Sequence, residues 1–326
     1  MSPLLRGSAL VLVFALAINV GLLPAQSLEG RVVHGVDSSG VEGVMVELHR
    51  VTATAGAVVD STVSLADGSF EFRLAEEPAS DALWLAAARH GGILYFGPAR
   101  HAGQIGDEAY EVLVYDSVTV ATPPSDLRVG IRHVVVTAGA SGGFEVAEVI
   151  DVLGSAHLTL VPVPDTLAIW SSSMPASAVA PRAIEGGVAP EALTFKPGLV
   201  ELRSMISPLG VRVTFVYTTR LPELEIRIDH PTDRLEVVVA GLSLEVTGAT
   251  PAESSVTRGE SMYRYTAEDL LPGATVRLVA GGRQPGAGSI AVVWALIGFG
   301  LLLAAGILWM TGDRGSRRLR RPPVSR

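Results

Sequence analysis

Short runs of β-forming residues dominate the chain from Ser27 onward. In these runs Val, Leu, Ile, Phe and Tyr alternate with polar residues, and clusters of Gly, Pro, Asp and Ser separate one run from the next. Alternation with a period of two is typical of strands that bury one face. No segment with the helical period of about 3.6 residues interrupts the pattern. The sequence therefore predicts an all-β protein built from many short strands.

An uncharged apolar segment of 21 residues, 290–310, lies near the C-terminus. A helix of this length covers the roughly 30 Å hydrocarbon core of a bilayer, and Trp294 and Trp309 stand near its ends, where indole rings favour the interface. The following residues 311–326 carry six arginines against the single Asp313. We expect one transmembrane helix with a cytoplasmic tail, because basic residues remain on that side. A patch for anionic lipid or nucleic acid is the alternative interpretation of the arginines.

Residues 1–26 have the features of a signal peptide, with Arg6, an apolar stretch and a small-residue ending at Pro24-Ala25-Gln26. Cleavage is expected near Ala25. If the segment is retained, it becomes a second span. Both topologies place residues 27–289 outside the cytoplasm, because Arg6 and the arginine tail would then share the cytoplasmic side.

The predicted ectodomain is acidic. Without Arg6 and the six tail arginines 18 of the 25 basic residues remain, and without Asp313 there remain 32 of the 33 acidic residues, which gives a net charge of −14. Such a surface argues against nucleic acid as a partner, because phosphate contacts need basic residues. The chain has no cysteine, which excludes disulfides, cysteine zinc sites and a lipoprotein acylation site. Together these features favour the envelope of a bacterial cell.

Two turn signals stand out in the first predicted unit, residues 27–101. Asp67-Gly68 and His90-Gly91-Gly92 each separate two alternating runs. Tight hairpin turns need positive φ angles, which glycine and aspartate tolerate. We therefore expect a β-hairpin at each position.

The motifs of this unit occur in a recognisable order. They are Gly30-x-Val32, then Gly40-Val41-Glu42-Gly43-Val44-x-Val46-x-Leu48, then Asp67-Gly68-Ser69-Phe70-Glu71-Phe72, and a late strand that contains Tyr95. The unit resembles the carboxypeptidase regulatory-like domain, which implies a transthyretin-like sandwich of seven strands. It departs from that pattern where Val41-Glu42 replaces the common Pro-Leu, and it lacks the extra acid that usually precedes the Asp-Gly turn.

The remaining boundaries follow from composition. Residues 102–126 are predicted as a linker with one strand at 110–115, and the Pro-Pro pair within 121–125 marks the domain boundary. Residues 127–280 contain enough short strands for an immunoglobulin-like sandwich. The Ala-, Ser- and Pro-rich residues 172–190 are interpreted as a long loop, and residues 281–289 as a tether to the membrane helix.

Patterns that could carry catalysis have simpler explanations. The run Gly139-Ala140-Ser141-Gly142-Gly143 matches a hydrolase nucleophile elbow, with Asp151 and His157 or His230 downstream. That motif needs a strand-to-helix turn, whereas β-forming residues continue on both sides here, which indicates a hairpin turn. We predict no catalytic residue and no cofactor-binding residue.

Pairs of histidine with a nearby acid or a second histidine raise the question of zinc. His34 with Asp37 and His230 with Asp233 lie in turns and lack an evident third ligand, which zinc needs. His90 and His101 could meet across a hairpin. We predict no metal site.

Two sets of residues could serve binding. Trp84, Tyr95, Phe96 and Trp170 could stack on sugar rings, although aromatic residues in strands are commonly core residues. In the membrane segment, Gly300 and Ala304 have the small-xxx-small spacing of a helix–helix contact.

The sequence as a whole favours a non-catalytic, membrane-anchored envelope protein of the cytoplasmic membrane. Its β-sandwich ectodomain is expected to bind a protein partner. The alternative is recognition of an envelope polysaccharide by the first sandwich, and a hydrolase ranks third. No cofactor is expected.

Overall fold

The computed structural model describes residues 27–280, with gaps at 53, 75–81, 106–109, 141, 164–167, 185, 221–222 and 258–259. Strands make up most of the described chain, and its helical residues are limited to two short 3-10 turns. This confirms the all-β prediction. No helix within the described residues is long and apolar enough to cross a bilayer. The predicted signal peptide, membrane segment and basic tail lie outside the described residues.

The chain divides into two compact units between Val114 and Tyr115. We call residues 27–114 unit 1 and residues 115–280 unit 2. The division falls earlier than the Pro-Pro pair within 121–125 that composition favoured. Ser117–Val120, in the expected linker, pairs with Thr159–Pro162, so the segment belongs to a sheet of unit 2.

The described residues of unit 1 form eight strands and one 3-10 turn, Ala102–Gln104. One sheet has the order β4-β1-β8, and the other has the order β3-β2-β5-β6 with β7 beside β5. The strands are β1 Ser27–His34, β2 Met45–Val51, β3 Gly56–Val63, β4 Ser69–Arg73, β5 Leu83–His90, β6 Ile93–Phe96, β7 Arg100–His101 and β8 Tyr110–Val114.

Strand β8 lies in a segment that the sequence analysis assigned to the linker. It pairs in parallel with β1, with Val32 opposite Val112, and both valines are fully buried. A parallel partner so far along the chain leaves no local turn signal, because the connection runs through the whole of unit 1. The strand is therefore an integral part of the first sheet.

The Asp67–Gly68 turn does not close a β-hairpin, so this expectation was wrong. It joins β3 in one sheet to β4 in the other, and each of these strands has a different pairing partner. Gly68 has the expected positive φ of 85°. A turn signal specifies the local backbone angles, whereas the pairing of the flanking strands is decided by the two sheets.

The other predicted hairpin of unit 1 is confirmed. Strands β5 and β6 pair antiparallel, with His90 opposite Ile93 across the two-residue turn. Gly91 and Gly92 have φ angles of 57° and 81°. Both glycines therefore supply the positive angles that such a turn requires.

In unit 2, the part of the chain that the structure describes forms fifteen strands and the 3-10 turn Pro190–Ala192. Its strands are β9 Ser117–Val120, β10 Arg128–Ala138, β11 Phe144–Leu153, β12 Thr159–Pro162, β13 Trp170–Ser173, β14 Ala178–Ala183, β15 Leu193–Lys196, β16 Leu199–Leu202, β17 Val211–Thr219, β18 Glu223–Arg227, β19 Thr232–Ala240, β20 Leu244–Thr247, β21 Thr250–Thr257, β22 Glu260–Leu270 and β23 Thr275–Ala280.

A seven-stranded sheet of order β14-β17-β11-β10-β19-β22-β21 forms the largest layer of unit 2. Its β10 and β19 are parallel, and its other pairs are antiparallel. Three smaller sheets have the orders β13-β16-β15, β18-β23-β20 and β12-β9. Alternate residues of the large sheet share one core with the smaller sheets, for example Val134 and Phe215 with Trp170 and Leu278. This burial on one face explains the period of two in the sequence.

The expected loop at residues 172–190 contains a strand, so that prediction was wrong in part. Strand β14 pairs antiparallel with β17 at the edge of the large sheet, with an irregularity between Val179 and Arg182. This strand has small side chains, a proline and an irregular register. These features weaken the alternating pattern by which a strand is recognised in a sequence.

Candidate functional site

The aromatic residues that were candidates for sugar stacking are buried. Trp84 and Tyr95 are each 7% exposed in the core of unit 1, and Trp170 is 1% exposed in the core of unit 2. Phe96 alone among the four candidates is exposed, at 58%. Its ring meets the ring of His49 edge-on, with 5.7 Å between the ring centres. The three buried rings cannot stack on a sugar in this structure, and Trp170 lies in a different unit from the other two. Gly300 and Ala304 lie outside the described residues.

The Gly139–Gly143 segment forms the turn of a β-hairpin, as predicted. Strands β10 and β11 pair antiparallel up to Ala138 opposite Phe144. Gly139 donates its backbone N–H to the carbonyl of Gly143 at 3.1 Å. Ser141 itself lies outside the described residues. The turn leads from strand to strand, which is not the geometry of a nucleophile elbow.

The histidine candidates are separated from one another. His34 Nδ1 lies 3.6 Å from Asp37, whereas His230 Nε2 bonds the carbonyl of Ser171 at 2.9 Å. His101 pairs with Leu83 at one end of β5, and His90 lies at the other end. Seven residues of strand separate these ends by about 23 Å, so the idea that His90 meets His101 was wrong. Within the described residues, no three His, Asp or Glu side chains are grouped to hold a metal.

A polar network that the sequence analysis missed lies inside the core of unit 2. Arg132 and Glu148 are 4% and 1% exposed, and Arg132 Nη2 lies 2.7 Å from Glu148 Oε2. Tyr217 donates its hydroxyl to Glu148 Oε1 at 2.9 Å. Arg132 Nη1 donates to the carbonyl of Arg227 at 2.8 Å. The network therefore bonds the large sheet to the end of β18 in a smaller sheet.

The network also controls the protonation of its tyrosine. Burial, reinforced by the negative charge of Glu148, holds the pKa of Tyr217 well above its usual value. The tyrosine therefore remains a neutral hydrogen-bond donor to the carboxylate. The hydrogen bonds and the ion pair of this network stabilise the core of unit 2 by joining strands of two sheets.

A second, partly buried cluster connects β13 to the segment between β18 and β19. Asp229 accepts hydrogen bonds from the backbone N–H of Ser173 at 2.6 Å and from its hydroxyl at 2.9 Å. The ring of His230 stacks on Trp170 with 5.9 Å between ring centres. Serine, aspartate and histidine are close here, but the histidine nitrogen is bonded to a backbone carbonyl and not to a serine hydroxyl. This arrangement lacks the serine–histidine bond that nucleophilic catalysis requires.

Strand β3 forms an open edge of the second sheet of unit 1. It pairs with β2 alone among the described strands, so the opposite side of its backbone has no strand partner in that part of the chain. Seven of its eight residues are exposed, including Val58 at 53%, Val59 at 44% and Val63 at 53%. A register shift leaves Val59 without a cross-strand partner. Exposed apolar edges are sites where another chain can add a strand.

A groove of about 690 Å³ begins where β3 ends. Thr62 and the exposed Val63 and Leu65 form part of its lining, and the sheet β4-β1-β8 supplies the rest. Three glutamates line the groove, one from each strand of that sheet: Glu29, Glu71 and Glu111. The groove is therefore partly apolar and partly acidic, and it adjoins the open edge.

The motif glycines hold the corner beside this groove. A Cβ atom on Gly40 would lie 1.9 Å from the carbonyl oxygen of Asp67, and one on Gly68 would lie 2.4 Å from that of Val32. The close approach allows Val32 N–H to donate to the Gly68 carbonyl at 2.8 Å. The spacing of the motif is thus explained by backbone packing between β1, the segment at Gly40, which forms a β-bridge with Val33, and the β3–β4 corner.

The same corner also positions charged and polar side chains. Ser69 donates through its hydroxyl and its backbone N–H to Asp67, which holds the pKa of that carboxyl below its usual value. Arg31 donates to the Asp67 backbone carbonyl at 2.9 Å. The corner therefore fixes the position of the guanidinium group of Arg31 at the groove.

Comparisons with known proteins do not identify a family for this chain. No protein-family model matches the chain, and no curated protein matches it. Among solved structures, one similar chain comes from Parabacteroides distasonis and is provisionally named a protease. It is 12% identical, with a TM-score of 0.26, over 49% of this chain and 40% of that chain. A likeness at this level carries no functional argument.

Proposed function

We propose that the protein is a non-catalytic, membrane-anchored envelope protein whose β-sandwich ectodomain binds a protein partner. The acidic ectodomain, the signal-peptide pattern and the apolar segment 290–310 support the location. In this proposal residues 311–326 are cytoplasmic, and unit 1 and unit 2 lie on the extracytoplasmic side of the membrane.

The finer fold assignments belong to the same proposal. The motif order in unit 1 and its two sheets support a transthyretin-like sandwich of the carboxypeptidase regulatory-like type. The layers of unit 2, one seven-stranded sheet against smaller sheets, support an immunoglobulin-like sandwich in a broad sense. The parallel β10–β19 pair is a departure, because the sheets of that fold are antiparallel.

The open edge at β3 is the observation that carries the interaction role. This exposed strand of eight residues has three exposed valines, no lysine and no proline, and Asp60 is its one charged residue, so its edge has little protection against pairing. The register shift at Val59 twists the edge but does not cover it. A partner segment that paired with β3 would satisfy its free backbone groups and cover its valines.

Carbohydrate binding has less support from the structure. The stacking face expected for it depended on Trp84, Tyr95 and Trp170, which are buried. A hydrolase has less support still, because His230 Nε2 bonds a backbone carbonyl instead of a serine hydroxyl, and no group of three metal-binding side chains occurs among the described residues.

Cross-linking of the full-length protein in its native membrane, followed by affinity purification, tests the proposal. We expect a reproducible partner whose recovery falls severalfold with Val58→Lys, because a charge on the edge opposes strand addition. Val36→Lys is the matched control, since Val36 is 48% exposed and lies in a turn that is not part of β3. Absence of any reproducible partner, or equal loss with both variants, would contradict the proposal.

A further inference from the structure

The groove beside the open edge contains an unfavourable arrangement of negative charges from Glu29, Glu71 and Glu111. Glu29 of β1 lies directly opposite Glu71 of β4 in the antiparallel register. Like charges in directly opposite cross-strand positions destabilise a sheet. Glu111 lies on the other side of β1, opposite Arg31 in the parallel register. Three carboxylates from three neighbouring strands thus face one groove.

The cations near this groove compensate for the carboxylates only in part. Arg73 lies 2.9 Å from Glu71, but its side chain is 81% exposed, so the pair is screened by solvent. Arg31 directs its guanidinium to the carbonyl of Asp67. The groove therefore retains an excess of negative charge that a cationic occupant would neutralise.

The distribution of the carboxylates distinguishes between cationic occupants. One metal ion would require the three glutamates to converge, and the described residues contain no such group. Carboxylates spread along a groove instead match charges spread along an extended chain. The apolar lining from Val63 and Leu65 suits the aliphatic parts of such a chain.

We propose that this groove binds an extended segment of the partner protein that presents arginine or lysine side chains to Glu29, Glu71 and Glu111. The inference rests on the proposed function and names the chemistry of its partner. Arginine fits best, because its planar guanidinium can bond both oxygens of a carboxylate. The segment would continue from the β3 edge into the groove, since Thr62 and Val63 belong to both.

A binding measurement on the purified full-length chain in detergent tests the inference. The probe is a fluorescent seven-residue peptide of alternating valine and arginine, and the control peptide has glutamate in place of arginine. We expect the arginine peptide to bind more tightly, and its affinity to fall as sodium chloride increases. In the double variant Glu29→Gln/Glu111→Gln we expect roughly tenfold weaker binding, about threefold for each exposed carboxylate. Glu42→Gln, at another exposed glutamate of unit 1, should leave the affinity unchanged.

Equal affinity for the two peptides, or no effect of the double variant, would overturn the inference. The cross-linking experiment separates this failure from that of the proposed function. A partner whose capture is sensitive to Val58→Lys but insensitive to Glu29→Gln/Glu111→Gln would leave the function standing and reject the cationic segment. Self-association that disappears with Val58→Lys would make a second copy of the chain the occupant, which also overturns it.

Discussion

Arg132 and Glu148 form a buried ion pair on the inner face of the large sheet, with Arg132 Nε donating to the glutamate at 2.8 Å. Removal of one member of such a pair leaves an uncompensated charge in the core. We expect Arg132→Met to lower the free energy of unfolding by about 3–5 kcal/mol. Thermal and urea unfolding of the purified protein, followed by circular dichroism, would measure the loss.

The double variant Arg132→Met/Glu148→Leu is the matched test of this explanation. It removes both charges and keeps similar volume, so it should recover most of the lost stability. Tyr217 would then lack its acceptor, and some loss should remain. A double variant as unstable as the sum of two single variants would show that the charges act independently.

The glycine corner of unit 1 predicts a different kind of loss. We expect Gly40→Ala to destabilise the protein by about 2–4 kcal/mol, because its Cβ would overlap the Asp67 carbonyl. Gly103→Ala is the control, since a Cβ at Gly103 meets nothing within 4 Å, and its effect should remain within about 0.5 kcal/mol. Urea midpoints of the two variants provide the comparison, and similar midpoints would reject the packing explanation.

Tyr110 predicts a loss of stability at alkaline pH. Burial raises its pKa from 10.0 to about 12. Below pH 10 the tyrosine is neutral in both states. As the pH rises from about 10 to about 12, the unfolded chain loses this proton first, which favours unfolding. The stability that is lost is about 2–3 kcal/mol.

Tyr110→Phe isolates this contribution. The variant lacks the hydrogen bond from the Ala86 backbone N–H to the tyrosine oxygen, which measures 2.8 Å, and should be less stable near neutral pH. The difference in stability between the variant and the wild type should shrink between pH 10 and 12, because ionisation of Tyr110 in the unfolded chain destabilises the wild-type protein there. Urea titrations at a series of pH values would test this, and parallel stability curves would argue against it.

Trp84 is buried and is therefore expected to contribute to the stability of unit 1. We expect Trp84→Ala to cost about 3–5 kcal/mol by leaving a cavity in unit 1. Phe96→Ala, at an exposed aromatic on a neighbouring strand, should have a small effect. Thermal unfolding would compare them. A stable Trp84→Ala protein that had lost binding on a glycan array would restore the carbohydrate hypothesis.

The candidate site could not be predicted from the sequence. Glu29, Glu71 and Glu111 are unremarkable in the sequence, because 42 and 40 positions separate them. They share a face because β4 and β8 flank β1, one antiparallel and one parallel. The open edge at β3 was equally hidden, since alternating residues predict a strand without indicating its position in the sheet.

The sequence by itself determined the all-β class, the approximate positions of most strands and the turns at Gly91–Gly92 and Gly139–Gly143. These depend on local properties, namely the alternation of apolar residues and the φ angles available to glycine. Tertiary structure alone decided that the Asp67–Gly68 corner crosses between sheets and that Arg132 meets Glu148. Such contacts depend on which strands become neighbours, and that choice is made by burial of the whole core.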